Sequence, residues 1–478
     1  MKQLGGAVLA VMAAVASACA PNEADPPQTE TSAVISNRNL DVLFMIDNSA
    51  SMNLSQANLL TNFPTFMNVL KDLPGGLPNI HVAVVSSDMG AGDGMVNVSC
   101  SATGDNGVFQ SAPRGTCTST TLLPGATFIS NVGGSTNYAA PDIATVFACI
   151  AALGQAGCGF ESPFASVLRA LGADDKPLPA ENQGFLRADA LLAIIMVTNE
   201  DDCSTGAGVP LDFYDGNTDV AFSSPFGPSA DYRCNEFGHL CDGVRPPRMA
   251  PNGQVGDTVT LHNCTSSECD GLLTPVAEVA ARIKTLKAAP ASEILVAAIT
   301  GPATPYQVHW AAPFNAADAS CGMASCPRPQ ITHSCTATDG SYADPAVRVT
   351  QFANSFGANG FVSSICDADF APALQQIGTR IGTLLTDGGG TGGPAGRIPS
   401  CAVTGLGGDT GAGGGGGAGG SSGGGAPFGS DAAAGAGMSS GSGCGCQAGG
   451  AAAGVSGFGA AGAIIAWLAA RRRRRRRA

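Results

Sequence analysis

The sequence predicts an α/β fold: a doubly wound, mostly parallel sheet flanked by helices, with disulfide-bonded loop insertions. Three observations carry this. Five short runs rich in β-branched and other apolar residues are apolar on both parities, as strands covered on both faces are. Amphipathic stretches at helical spacing alternate with them. Two long segments rich in Pro, Gly and Cys interrupt the alternation, and they are too long for ordinary connections.

The first run, "LDVLFMID" (40–47), reads as a buried strand that ends on an acid. A helix over about 55–73 follows, with Leu59, Leu60, Phe63, Phe66, Met67 and Leu70 on one wide apolar face. Pro64 inside it predicts a kink or a late start. "IHVAVVSSD" (80–88) is the second strand, and "GATFISNV" (125–132) is a weaker one suited to an edge. Helices are expected over about 141–154 and 162–172, followed by the strand "ALLAIIMVT" (190–198). The first insertion covers 203–270. Beyond it lie a helix (274–288), the strand "EILVAAIT" (293–300), the second insertion (301–343), a helix (344–356), the strand "FVSSIC" (361–366) and a last helix (368–385).

This folded region, 38–386, sits between two unlike ends of a 478-residue chain. Residues 1–19 place Lys2 before an apolar run and small residues before Cys19, which is a secretory signal and too short to span a bilayer. The ending "ASAC" resembles a bacterial lipobox, which implies cleavage before Cys19 and its lipidation; ordinary secretion with Cys19 removed is the alternative. Residues 20–37 are a polar, Pro-rich tether, and 387–443 a glycine-dominated stalk that cannot bury a core. Residues 451–470 are uncharged, about one bilayer long, and followed by seven arginines, Arg471 to Arg477. Arginines hold their end in the cytoplasm, so the bulk of the chain lies outside. With Cys444 and Cys446 just upstream, the tail 444–478 resembles the MYXO-CTERM sorting tail of myxobacterial surface proteins. That resemblance implies removal by a rhomboid-like myxosortase and display at the outer membrane or cell surface. A permanent single-pass anchor is the alternative.

The formal charge of −13 understates the acidity of the exported part. Of 24 Lys and Arg, eight are Lys2 and the terminal arginines; the other 16 face 37 acids, a net of −21. Such a surface repels nucleic acid, and no nucleic-acid partner is expected. Of 17 cysteines, Cys19, Cys444 and Cys446 belong to the ends. The remaining even set, Cys100 to Cys401, argues for up to seven disulfides in an exported domain, with connectivity open. A zinc site drawn from Cys234, His239, Cys241, His262 and Cys264 is conceivable, but no tight double CxxC pair supports it.

In an α/β sheet, ligands sit outside the carboxyl ends of the strands, where the chain order reverses. Asp47 stands at that end of the first strand, with Ser49 and Ser51 in the loop "DNSASM" before a helix. A carboxylate and two hydroxyls are hard donors, suited to Mg²⁺, Mn²⁺ or Ca²⁺. The plain alternative is a helix cap.

Here "DNSASM" resembles the metal-ion-dependent adhesion site (MIDAS) of von Willebrand factor A (VWA) domains, and the element order over most of 38–386 is similar too. That resemblance implies a VWA/Rossmann-like sheet in which Asp47, Ser49 and Ser51 open a cation site. It also implies a threonine from a second loop and an aspartate from a third. This chain departs at both. "VTNEDDCS" puts Asn199 where the aspartate is expected, with Asp201 near enough to supply charge, and "GCGFESPF" offers Glu161 and Ser162 in place of the threonine. A metal-bound Glu161 would make the site tighter on metal and weaker on an external acid. Stabilisation of a helix start is the other reading of Glu161.

The function expected is a membrane-anchored, surface-displayed module that binds a protein or envelope ligand with help from a divalent cation. A structural envelope protein whose ion only stabilises the loops is one alternative. A metal-dependent hydrolase using Asp47 and Asp201 is another. The five histidines form no HExxH, and no G-x-S-x-G elbow follows a strand, so an enzyme is not expected.

Overall fold

A computed structural model describes residues 38–387, apart from 93–99, 115–116, 118–121, 207, 217–219, 269–271 and 324. Cys19, Cys269, Cys401, Cys444, Cys446, the tether, the glycine-rich segment beyond Asp387 and the expected span 451–470 lie outside the described residues. Among the described residues no helix is long and apolar enough to cross a membrane.

The elements follow the expected order. β1 (Asn39–Ile46) leads into α1 (Asn53–Lys71) and β2 (Asn79–Ser86), then the short β3 (Ile129–Val132) and β4 (Ser135–Thr136). α2 (Ile143–Ile150) and α3 (Pro163–Ala170) precede β5 (Leu191–Val197). The first insertion carries α4 (Ala230–Gly238), β6 (His239–Cys241), β7 (Thr258–Leu261) and β8 (Cys264–Ser266). α5 (Val276–Lys284), α6 (Pro290–Glu293) and β9 (Ile294–Thr300) return to the main sheet. The second insertion carries β10 (Tyr306–Ala311), β11 (Arg328–Thr332), β12 (Cys335–Thr336) and β13 (Tyr342–Ala343). α7 (Val347–Asn354), β14 (Gly360–Ser364) and α8 (Ala371–Asp387) complete the described chain.

The main sheet has the order β14-β9-β5-β1-β2-β3-β4. Its five long strands are parallel, and β3 and β4 extend one edge antiparallel. After β1 the chain adds β2 on one side and β5, β9 and β14 on the other, so the order reverses at β1. Alternating side chains fill two cores, as the pleat requires. Leu40, Val42, Phe44 and Ile46 of β1 join Leu59, Phe63 and Phe66 of α1 and Leu374 and Ile381 of α8. Leu43 and Met45 join Phe164 and Val167 of α3, Val279 of α5 and Phe352 of α7 on the opposite face. Phe63 and Phe147 stack at 3.8 Å beneath Phe44.

Two expectations change. α1 starts at Asn53 and runs through Pro64 to Lys71, so the proline does not delay the helix. Pro64 is exposed while Phe63, Phe66 and Met67 are buried. Packing of Leu59, Phe63, Phe66 and Met67 holds the helix on both sides of the proline. The insertions are also not separate loops. β7 of the first pairs with β10 of the second, and β11 completes a three-stranded antiparallel sheet. Tyr306, Val308 and Trp310 of β10 form its core with Tyr232 of α4.

Among the described residues, six disulfides join Cys100–Cys158, Cys117–Cys149, Cys203–Cys234, Cys241–Cys264, Cys321–Cys326 and Cys335–Cys366. Three thiols of the conceivable zinc set, Cys234, Cys241 and Cys264, are therefore bridged and cannot hold zinc. Cys203–Cys234 ties the loop after β5 to α4 across 31 residues. Closing a loop of that length restricts the unfolded chain by about 3–4 kcal/mol. The Cys203→Ala/Cys234→Ala double variant is expected to lose about 2–4 kcal/mol in urea unfolding.

Candidate metal centre

In-register pairing builds the site before any side chain is placed. Ile46 lies beside Ser86 on one side and Val197 on the other. The next residue of each strand is Asp47, Ser87 and Thr198, so these three form one row at the carboxyl ends of β1, β2 and β5. That row lies where the strand order reverses, the place such sheets bind ligands.

Asp47 is fully buried. Its N–H donates to the Val197 carbonyl at 2.9 Å, which extends the ladder by one bond. Oδ1 accepts from the Ser49 N–H at 2.7 Å and the Ser87 hydroxyl at 3.2 Å; Oδ2 accepts from the Thr198 hydroxyl at 2.9 Å. All three donors are neutral. Burial outweighs them and raises the carboxyl above its ordinary pKa. The Ser49 hydroxyl also approaches the carboxylate, so only neutral donors surround it.

The serine loop continues the arc. Ser49 and Ser51 hydroxyl oxygens are 3.4 Å apart, and Ser51 donates to Asn199 Oδ1 at 3.1 Å. Asn199 Nδ2 donates to the Tyr342 carbonyl at 3.1 Å, anchoring the loop after β5 to β13. An aspartate at 199 would set a carboxylate against that carbonyl, so the amide fits the local geometry. The Asn199→Asp variant is expected to bind Mg²⁺ or Ca²⁺ about tenfold more tightly, as one added charge beside the ion would give. It should also lose about 1–3 kcal/mol of stability in EDTA, through the broken Tyr342 bond. Calorimetry and urea unfolding read the two effects separately.

Gln56 of α1 fixes the loop from behind. Its Nε2 donates to the carbonyls of Asp47 and Gly154, both at 2.9 Å, and its Oε1 accepts from the Gly154 N–H. Gly157 donates its N–H to the Asn48 carbonyl, and a Cβ there would stand 2.2 Å from Asn48 Oδ1. Any larger residue there would push the Asn48 side chain aside.

The loop before α3 brings Glu161 and Ser162. Ser162 donates its hydroxyl to the Phe160 carbonyl at 3.2 Å, and its N–H to the Ser87 carbonyl. Glu161 precedes the helix rather than standing in its first turn, which has no acid. The helix start is instead satisfied by Asp202, which accepts from the Phe164 N–H, and by Ser204, which accepts from the Ala165 N–H. The dipole role considered for Glu161 therefore falls to Asp202. Glu161 is 3% exposed, and its Oε1 has no hydrogen-bond partner. Burial, then the charges of Glu200 and Asp47, push its carboxyl well above the ordinary value. Glu200 moves the same way, by burial and then by the charges of Asp344 and Asp47. Sequence reasoning left Glu200 unassigned.

Asp201 is directed elsewhere. Its Oδ2 meets His239 Nε2 at 2.7 Å and the Arg348 N–H at 2.8 Å; its Oδ1 accepts from the Asp202 and Val349 N–H groups. Burial opposes its ionisation, but His239 and the N–H groups at the start of α7 outweigh it and lower its pKa. A carboxylate at a helix start is stabilised by the exposed N–H groups there. The structure thus joins Asp47, Ser49, Ser51 and Asn199 in one hydrogen-bonded arc, sets Glu161 within electrostatic reach, turns Ser162 to backbone partners and turns Asp201 to His239 and backbone N–H groups.

The oxygen donors of the arc fit a hard divalent cation, and Glu161 Oε1, buried without a hydrogen-bond partner, is a further oxygen within electrostatic reach of Asp47. Among the described residues, no group of three or more His, Cys, Asp or Glu side chains converges to hold a metal. The donor set is therefore mainly hydroxyl and amide oxygen around one carboxylate. Ser87 and Thr198, missed in the sequence, are each the first hydroxyl residue to end the row beyond "VVS" and "IIMV", and strand register alone would have found them.

No protein-family profile matches the chain, and no curated protein matches it. Among solved structures it is similar to the pilus adhesin SpaC from Lactobacillus rhamnosus GG in its open conformation. The sequence identity is 12% and the TM-score 0.30, over 74% of this chain and 31% of the adhesin. The chain thus corresponds to less than a third of that adhesin's length.

Proposed function

We propose that the chain is a VWA-like binding module, not an enzyme, which engages a protein or envelope ligand with the help of a divalent cation. The observation that carries the reading is the arc Asp47–Ser49–Ser51–Asn199 at the point where the strand order reverses. The cation, Mg²⁺, Mn²⁺ or Ca²⁺, would rest on Asp47, Ser49 and Ser51, with Asn199 completing the rim. Display follows from the expected ends: the signal 1–19, lipidation at Cys19, and the tail 444–478 with Cys444 and Cys446, cut by a myxosortase-like protease. The glycine-rich stalk would hold the module away from the outer membrane.

The test is capture from envelope extracts with and without EDTA, run beside a melting curve. Capture that requires the cation, with a small change in melting temperature, supports a binding module. A large cation-dependent rise in melting temperature with no captured partner supports a purely structural ion. Hydrolysis of a generic substrate panel would make it an enzyme.

A further inference from the structure

Glu161 and Glu200 face more than the hydroxyl arc. Together with Asp201, Asp231, Asp344 and Asn235 they line a narrow, open-mouthed cleft. The Cys203–Cys234 disulfide, which also lines it, ties α4 to the loop after β5 and so fixes two of its walls. No lysine or arginine lines it among the described residues. Two of the five acids have partners of their own: Asp201 holds His239 and the start of α7, and Asp344 meets His333 at 2.6 Å. Asp231 is exposed at the first turn of α4. Glu161 and Glu200 face each other, and Glu161 Oε1 is buried with no hydrogen-bond donor on it. A buried carboxylate oxygen with nothing to accept from is costly unless a donor reaches it.

The form of that donor follows from the spread of the acids. They line the walls without closing on one point, since no three acidic, His or Cys side chains among the described residues converge at metal-ligand geometry. A bare ion held by carboxylates alone needs such convergence. A larger cation carrying several N–H donors does not: an alkylammonium offers three and a guanidinium five, each able to bond a separate carboxylate.

We propose that this cleft receives the cationic head of a lysine or arginine side chain presented by a protein ligand. The proposal rests on the binding-module reading for its partner, but its chemistry does not require the divalent cation. A ligand that also offers an acid to the serine arc would be held at two points of opposite charge, giving specificity that neither site has alone.

The test titrates the purified chain, in EDTA, with N-acetyl-lysine methylamide, N-acetyl-arginine methylamide, the uncharged N-acetyl-norleucine methylamide and spermidine, by calorimetry. Saturable binding of a basic amide, with none of the norleucine compound, is expected. The variants Glu161→Gln, Glu200→Gln and Asp231→Asn should each weaken it, by about tenfold for the two glutamates, the equivalent of one charge-assisted hydrogen bond. Asp231 is exposed, so its variant reports on the cleft even where a buried substitution disturbs folding. Absence of saturable binding by both basic amides overturns the proposal, as does binding that all three variants leave unchanged. Spermidine binding far more tightly than either amide replaces the protein side chain with a free polyamine. Because these titrations contain EDTA, their failure leaves cation-dependent capture untouched, and loss of that capture leaves them untouched.

Discussion

The Asp47→Asn variant is expected to melt at a higher temperature than the parent in EDTA, and to show no further rise when Mg²⁺, Mn²⁺ or Ca²⁺ is added. Both signs follow from the geometry. Asp47 is a fully buried carboxylate held by three neutral donors, near the acids Glu161 and Glu200. An asparagine keeps Oδ1 for the Ser49 N–H and the Ser87 hydroxyl. Its Nδ2 takes the place of Oδ2 and donates to the Thr198 hydroxyl oxygen. That hydroxyl already has the Glu200 carbonyl at 3.0 Å as an alternative acceptor for its own proton. The bonds are thus conserved while an uncompensated buried charge disappears, a change worth about 1–3 kcal/mol in favour of the folded state. The same change removes the carboxylate of the serine arc, so cation-dependent stabilisation is lost. Differential scanning fluorimetry with and without cation reads both. A lower melting temperature in EDTA together with an intact cation response would show Asp47 to be structural only.

The second large effect lies in the loop after β5. Arg348 and Asp202 are both fully buried and paired at 3.0 Å. Arg348 also donates to the Thr274 carbonyl at 2.6 Å, while Asp202 caps α3. The Arg348→Met variant leaves Asp202 buried without its cation, and a loss of about 3–5 kcal/mol is expected in urea unfolding. The Arg348→Met/Asp202→Asn double variant should recover part of it, because removing both charges is much less harmful than removing one. A single variant that loses under 1 kcal/mol would show that the pair does not hold the loop.

The central strands β2, β1, β5 and β9 were legible in the sequence because they are buried on both faces. Their runs are apolar at odd and even positions alike, whereas "FVSSIC" forms a half-exposed edge strand and carries two serines. The serine arc was legible because Asp47, Ser49 and Ser51 are local to one loop, and Asn199 ends the neighbouring strand. Ser87, Thr198 and Gln56 were not, because their roles depend on register and on α1 docking, which local sequence does not encode. Asp201 was placed with the cation on proximity in sequence. The structure gives it to His239 and α7, contacts that come from residues 38 and 147 positions away. The pairing of β7 with β10 was hidden for the same reason: each strand is short, and its partner lies in the other insertion.

The measurement that tests the central claim most directly is the manganese anomalous signal from crystals soaked in MnCl₂. The account expects one strong peak at the carboxyl end of β1, within about 2.0–2.6 Å of the Ser49 and Ser51 hydroxyl oxygens, the range for hard cations on oxygen. Asp47 should bind the ion directly or through a bridging water. Density without a peak there, or a peak only at a site that excludes both serines, would contradict it.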